Sequence, residues 1–302
     1  MSSLLTNSSA MTALQTLRNV GASLATTQNR ISTGQRVATA SDNSAYWSIA
    51  TSMRADNAAL SAVSDSLGLS AATVDTEYTA LTAVLGNDGN SGLDKLEALL
   101  VEAKTAGIDR KKIQSEITQI QQDMKNTANS ATFNGVNWLS TTATTPATVK
   151  LVSSFSRVGA TPTINTILVT VANYALYTST TTGFLDTPTA GVSIDNMDIS
   201  ALTDSAVDQT TLDGYIAQVT SVINTVSQSA ANLGAIKNRI SNNVEFVKTL
   251  SDSVTRGIGQ LVDADMNAES TRLQALQVQQ QLGVQALSIA NSTPQSILTL
   301  FR

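Results

Sequence analysis

The residues best suited to chemistry in this chain are carboxylates, and three of them crowd together at Asp263, Asp265 and Glu269. A hydrolase that works through two carboxylates needs such a pair facing one cleft, one as acid and one as base or nucleophile. Asp204 and Asp208 have the i,i+4 spacing of a helix face. A calcium loop is the next candidate, in DGNSGLDKLEAL from Asp88, but it carries Leu93 where a glycine must turn the chain and Leu99 where a glutamate must close the site. The densest basic run, Arg110-Lys111-Lys112, is flanked by Asp109 and Glu116, as on a solvated helix face. With no histidine and no cysteine, the chain has no His-dependent triad, no HExxH zinc motif and no thiolate metal site, and it holds no GxxxxGK phosphate loop. Solvated helix surfaces account for these clusters, so the expectation is no enzyme, no metal and no cofactor.

Those helices dominate the chain. Stepping by seven from Tyr46 gives Met53, Leu60, Leu67, Val74 and Leu81, all apolar, with a mixed companion row at Ala50, Asn57, Ser64, Ala71, Tyr78 and Leu85. The far flank keeps the same step through Leu233, Ile240, Val247, Val254 and Leu261, with Val244 and Ile258 beside it. The extreme ends add Ala10, Leu14, Leu17, Leu24 and Ile31, then Met266, Leu273, Leu276 and Leu287. A period of seven sustained this far implies paired, left-handed supercoiled helices. With seams at both ends of the chain, the ends are expected to pair with each other. The predicted fold is mainly α: a long antiparallel coiled-coil rod built from both chain ends.

The middle has a different character. Residues 93–103 and 108–131 read as helices, the second with an apolar stripe at Ile113, Ile117, Ile120 and Met124. In ATFNGVNWL the pair Asn134-Gly135 between apolar residues signals a tight hairpin turn. Over residues 140–193, Ser and Thr supply 21 of 54 positions and three of the four prolines fall, which breaks from the helical flanks. The β-branched run TINTILVTVANYALYTST fits strands better than helix. Helical periodicity resumes near Thr211. Three domains follow: residues 1–44 with 261–302 as terminal helices, 45–139 with 205–260 as a helical rod, and 140–204 as a small β-rich insertion.

A net charge of −5 from 18 basic and 23 acidic residues makes nucleic acid an unsuitable partner. No stretch reaches the roughly 18 apolar residues of a membrane span, and the start MSSLLTNSSAMTALQTLR lacks the early positive charge and apolar core of a cleavable secretory signal. The chain closes on NSTPQSILTLFR, where Ile297, Leu298, Leu300 and Phe301 keep an apolar stripe to the end and Pro294 is expected to start or kink the final helix. One rod cannot cover that stripe. The simplest partner is a second copy, and head-to-tail contacts that do not close build an open helical filament.

Three segments, in order, also carry a resemblance. RISTGQRVATASDNSAYWSIATSMRADN (residues 30–57), ATFNGVNWL, and the run from Thr255 to the final NSTPQSILTLFR closely resemble the signature segments of bacterial flagellins. The resemblance covers residues 1–139 and 211–302. It implies a structural subunit that polymerises into the extracellular flagellar filament for motility. Its chain ends would order in the filament's inner tube, through Leu14, Leu17, Leu24, Ile31, Leu273, Leu276, Leu287, Ile297, Leu298, Leu300 and Phe301. The insertion would face outward.

The resemblance further implies export through the flagellum's own channel, an export chaperone on the C-terminal segment, a cap protein at the growing tip, hook-junction proteins at the base, and sister flagellins as filament partners. The family's animal-receptor patch maps onto Lys95, Leu99 and Glu116, with Glu97 and Ala98 breaking its pattern. Asp42, Asn43, Ser44, Ala45, Tyr46 and Trp47 replace the acidic, glycine-containing run that plant receptors read, so that recognition is not expected. The Tyr-Trp variant is more similar to flagellins of alphaproteobacteria. Two other readings share the helical ends: a hook–filament junction protein, and a surface adhesion module with the Thr-rich insertion as its active part.

Overall fold

The computed structural model describes residues 7–300, apart from 87, 88, 143, 144, 159, 160 and 190, and no side chains at 158, 162 and 293–300. Its helices are α1 (Ser8–Thr33), α2 (Ser44–Leu85), α3 (Gly92–Ala103), α4 (Arg110–Ser130), α5 (Ala206–Val262) and α6 (Met266–Leu300). Between α4 and α5 lie β1 (Ser140–Thr141), β2 (Thr148–Val158), β3 (Thr161–Thr170) and β4 (Tyr177–Thr178). The chain is mainly helical and divides into two compact units, residues 1–58 with 251–302, and residues 59–250.

In the first unit, α1 and α6 pair antiparallel. Asn7 caps α1 by accepting the Ala10 N–H at 3.1 Å and also donates to the Ala290 carbonyl at 2.7 Å. Further along, a Leu17 methyl lies 3.1 Å from where a side chain on Gly283 would begin, and Arg30 meets Glu269 at 2.9 Å. The rising α1 numbers thus meet falling α6 numbers. Backbone bonds close the pair: Arg36 and Val37 N–H groups donate to the Val262 carbonyl at 2.6 and 3.2 Å, and Ala264 N–H donates to the Gly34 carbonyl at 2.9 Å. Val37, Ala50 and Val262 form a small buried core there, with Leu261 packed against it. Pro294 neither starts nor ends the last helix, because α6 runs unbroken from Met266 to Leu300. A proline deletes one N–H donor and crowds one carbonyl, yet the backbone is helical on both sides of this one.

In the second unit the heptad row Leu60, Leu67, Val74 and Leu81 of α2 is buried, as is the α5 row Val219, Val226, Leu233, Ile240 and Val247. The companion row on α2 is not the one expected. Val63, Ser70, Glu77 and Val84, three residues after each member of the first row, are buried, whereas Ser64, Ala71, Tyr78 and Leu85 are half-buried. Two of the true companions are polar, so the apolar pattern passed over them. α2 turns into α3 through Gly86 and Gly92. At Gly92, φ is +61° and an added Cβ would lie 2.2 Å from the Val84 carbonyl oxygen, so only glycine fits.

α4 buries Ile113, Ile117 and Met124 of its stripe and is also held by polar side chains. Arg110, 7 % exposed, donates to the carbonyls of Ala103 (2.9 Å) and Leu202 (3.2 Å) and to Asp204 (2.6 Å). Gln121 donates to the Ile194 and Met197 carbonyls, and Gln114 accepts from Ile199 N–H at 2.9 Å. The segment that returns from the strands is therefore stitched along α4. Its apolar side chains, Tyr174, Leu176, Leu185, Ile194, Met197 and Ile199, are buried. Among the described residues only β2 and β3 form an extended strand pair, an antiparallel hairpin in register from Thr148↔Thr170 to Val158↔Thr161 with an irregularity at Ser153. β1 and β4 make a two-residue parallel contact. Asn134 and Gly135 both have positive φ (50° and 78°) and Phe133 bridges Val136, as a two-residue hairpin turn requires. Helix α5 begins at Ala206, five residues earlier than its apolar period suggests.

Candidate assembly surfaces

Four of the five clustered carboxylates, Asp204, Asp208, Asp265 and Glu269, are taken up by structure. Glu269 pairs with Arg30, and Asp265 accepts the Asn267 and Ala268 N–H groups at the start of α6. Asp263 makes the backbone bridge to Gln35. Asp204 accepts from Arg110 and from Gly107 N–H, and Asp208 accepts the N–H and hydroxyl of Thr203. These bonds favour the ionised forms and hold both carboxyls below the usual range, the largest cause being the Arg110 side chain for Asp204 and the Thr203 hydroxyl for Asp208. Asp88 lies outside the described residues. A groove of about 640 Å³ beside α2 and α4 has one titratable lining residue, Asp75, which is paired to Lys237 at 2.6 Å. Among the described residues no cluster of acidic side chains is placed to hold a metal, and no helix is long and apolar enough to cross a membrane.

The surface of the first unit carries more information. Every α-helical step turns about 100°, so Glu269, Leu273, Leu276, Gly283 and Leu287 fall on one face of α6. Glu269 and Leu276 are buried and Leu273, Gly283 and Leu287 are half-buried, this being the face toward α1. Val278, Leu282 and Ile289 fall on the opposite face and are 54 %, 57 % and 67 % exposed. On α1, Leu17, Leu24 and Ile31 are half-buried, while Met11 and Leu14 are exposed. Helix α6 thus has two apolar faces and α1 covers one. The heptad step along α6 follows the covered face, and the second stripe lies in the sequence at 278, 282 and 289.

The other sequence candidates fall as follows. Met53, Val254 and Leu261 are half-buried in the first unit, and the Met53 methyl lies 2.8 Å from where a Gly257 side chain would begin. Of Lys95, Leu99 and Glu116, Leu99 is buried at 3 % exposure and offers a receptor no surface, whereas Lys95 is half-buried and Glu116 exposed. Phe301 lies outside the described residues, as do the side chains of Ile297, Leu298 and Leu300.

Sequence comparison gives this architecture its relatives. Residues 4–144 match the family model described as the bacterial flagellin N-terminal helical region, and residues 216–301 match the bacterial flagellin C-terminal helical region. Flagellin C of Rhizobium meliloti (strain 1021) is 43 % identical over 329 aligned positions, and the flagellin of Brucella melitensis biotype 1 is 44 % identical over 303, each alignment covering all of both chains. Flagellin A of Rhizobium meliloti is 37 % identical over 400 positions, again with both chains covered in full. Proteins named flagellin A, B, C and D from that one strain are all similar to this chain.

Proposed function

The chain belongs to the bacterial flagellin family, and from that premise we propose that its terminal helices α1 and α6 assemble it through the apolar face of α6 that α1 leaves uncovered. It is a structural subunit that polymerises with itself into the bacterial flagellar filament, outside the cell. The family is structural, not enzymatic. Full-length similarity to proteins named flagellin favours this reading over a hook–filament junction protein or an adhesion module.

One observation carries the assembly reading: Val278, Leu282 and Ile289 form an exposed apolar stripe directly opposite the face paired with α1. Burying apolar surface yields about 25 cal/mol per Å², so neighbouring copies gain most by covering that stripe. The half-buried Leu17, Leu24, Ile31, Leu273 and Leu287, with Leu14, form the supporting layer. The reading extends to Ile297, Leu298, Leu300 and Phe301 as inner-tube contacts. By the same reading the terminal helices, residues 1–44 with 261–302, order on assembly, residues 45–139 with 205–260 form the shell, and residues 140–204 face outward. Export runs through the flagellar channel, with a chaperone on the C-terminal segment, a cap at the tip and junction proteins at the hook. Sister flagellins share the filament, as the four lettered relatives in one strain suggest.

The test is seeded polymerisation of Leu282→Asp and Ile289→Asp beside circular dichroism of the unassembled protein. Each charge on an interface that must close is expected to raise the critical concentration by roughly a hundredfold or more, with the helical signal of the unassembled protein unchanged. Assembly at the wild-type critical concentration overturns the proposal.

A further inference from the structure

Glu77 is the anomaly of the second unit. It occupies a heptad position of α2 between Ser70 and Val84 and has no exposed surface. Its Oε1 accepts the backbone N–H of Trp138 at 2.9 Å, and its Oε2 is buried with no hydrogen-bond partner. Acidic side chains are almost never fully buried unless paired. The charges on the surrounding elements are engaged elsewhere. Asp75 on α2 pairs with Lys237 on α5, whose ammonium also lies 5.7 Å over the Tyr78 ring. Lys125 on α4 pairs with Asp195 and lies 5.5 Å over the Tyr177 ring. Asp186 accepts the Thr178 and Gly183 N–H groups. Tyr174 and Tyr177, whose phenols burial holds above their usual pKa, are neutral at any physiological pH.

Trp138 itself anchors a junction. It is fully buried, its ring centroid is 6.2 Å from that of Tyr174, and the next residue, Leu139, accepts the Leu176 and Tyr177 N–H groups. The chain enters the strand region here and returns beside itself. We propose that Glu77 is a proton-operated latch on this junction: uncharged, it holds Trp138 against α2 in a closed core; ionised, it is a buried charge with an unpaired oxygen and loosens the junction.

The direction follows from linkage. Burial raises the Glu77 pKa from 4.5 to about 7, only partly opposed by the Trp138 and Leu139 N–H groups. The folded state therefore holds a proton that the unfolded chain releases between pH 4.5 and 7. Stability from this group is complete below pH 4.5 and is lost as pH rises through about 7. The chain has no histidine, so apart from an α-amino group no ordinary side chain competes in that window.

The experiment uses the full-length chain with Trp47→Phe, leaving Trp138 as the one fluorophore, and compares it with the same chain carrying Glu77→Gln. Between pH 5 and 8.5 the folding equilibrium constant of the Glu77 chain should fall by roughly a hundredfold, and acrylamide quenching of Trp138 should rise. Glu77→Gln keeps the acceptor oxygen without the charge and should show neither change. Equal pH slopes in the two proteins overturn the proposal. Should the glutamine variant not fold, carboxyl-carbon NMR of the Glu77 protein decides: a midpoint near 7 supports the latch, and one in the ordinary glutamate range removes it.

Discussion

Arg30 donates to Glu269 at 2.9 Å across 239 positions of sequence, joining the last turn of α1 to the first turn of α6. Both charges complement the helix end they sit on, positive at a C-terminus and negative at an N-terminus. The Glu269 side chain is only 11 % exposed, and its second oxygen is buried without a hydrogen bond. Removing the arginine strands that carboxylate. Arg30→Met is expected to cost about 1–3 kcal/mol, less than a fully buried pair because Arg30 remains partly solvated. Faster amide exchange in the assembled filament, confined to α1 and α6, checks it, and Glu269→Gln in the same chain should recover part of the loss.

Gly92→Ala should be among the most damaging single-methyl changes in the protein. Its positive φ strains any other residue by about 1–3 kcal/mol, and the new Cβ would press on the Val84 carbonyl, which is backbone and cannot swing aside. Urea unfolding should show a loss of at least about 2 kcal/mol, whereas Gly89→Ala, strained in φ but with open space around it, should lose less.

Leu67→Ala empties a site with no solvent exposure in the α2 row. Truncations of this kind cost about 2–5 kcal/mol. The midpoint of urea unfolding should fall with its slope unchanged; a loss below 1 kcal/mol would mean the row does not hold the unit together.

Excision should separate two parts of the strand region. Val171 N–H donates to the Ala147 carbonyl at 3.0 Å, so removing residues 148–170 leaves ends already in contact. That deletion should fold and polymerise. Deleting residues 140–193 takes Tyr174, Leu176 and Leu185 out of the buried core and should leave a chain with weakened cooperative unfolding, read by calorimetry on both variants.

What the sequence disclosed depended on whether burial was written in apolar letters. The step from Leu60 to Leu81 was readable because every member is apolar, and β3 because β-branched residues crowd it; its partner β2 went unread, and the second half of the β-branched run is strand only at Tyr177 and Thr178. Ser70 and Glu77 hid the second α2 row, since a polar side chain in a buried row leaves no trace in hydropathy. The residues from Tyr174 to Ile199 were hidden for another reason. Their buried side chains lie at irregular spacing with little regular structure, and Ile194, Met197 and Ile199 are held by backbone bonds to Gln114 and Gln121 that no period announces. The exposed stripe on α6 was present in the letters but masked by the longer stripe on the opposite face.

The bond between Val171 and Ala147 also fixes where this protein tolerates a change of length. One residue added inside α2 or α5 rotates everything beyond it by about 100° and carries each heptad row off its face. Chain added beyond the 147–171 contact rotates nothing, and doubling its length costs only about 0.6 kcal/mol in closure entropy. Aligned lengths among the relatives run from 303 to 409 positions against the 302 residues of this chain. A lineage can therefore redraw what projects past that contact by insertion and deletion, while its helical scaffold changes only by substitution.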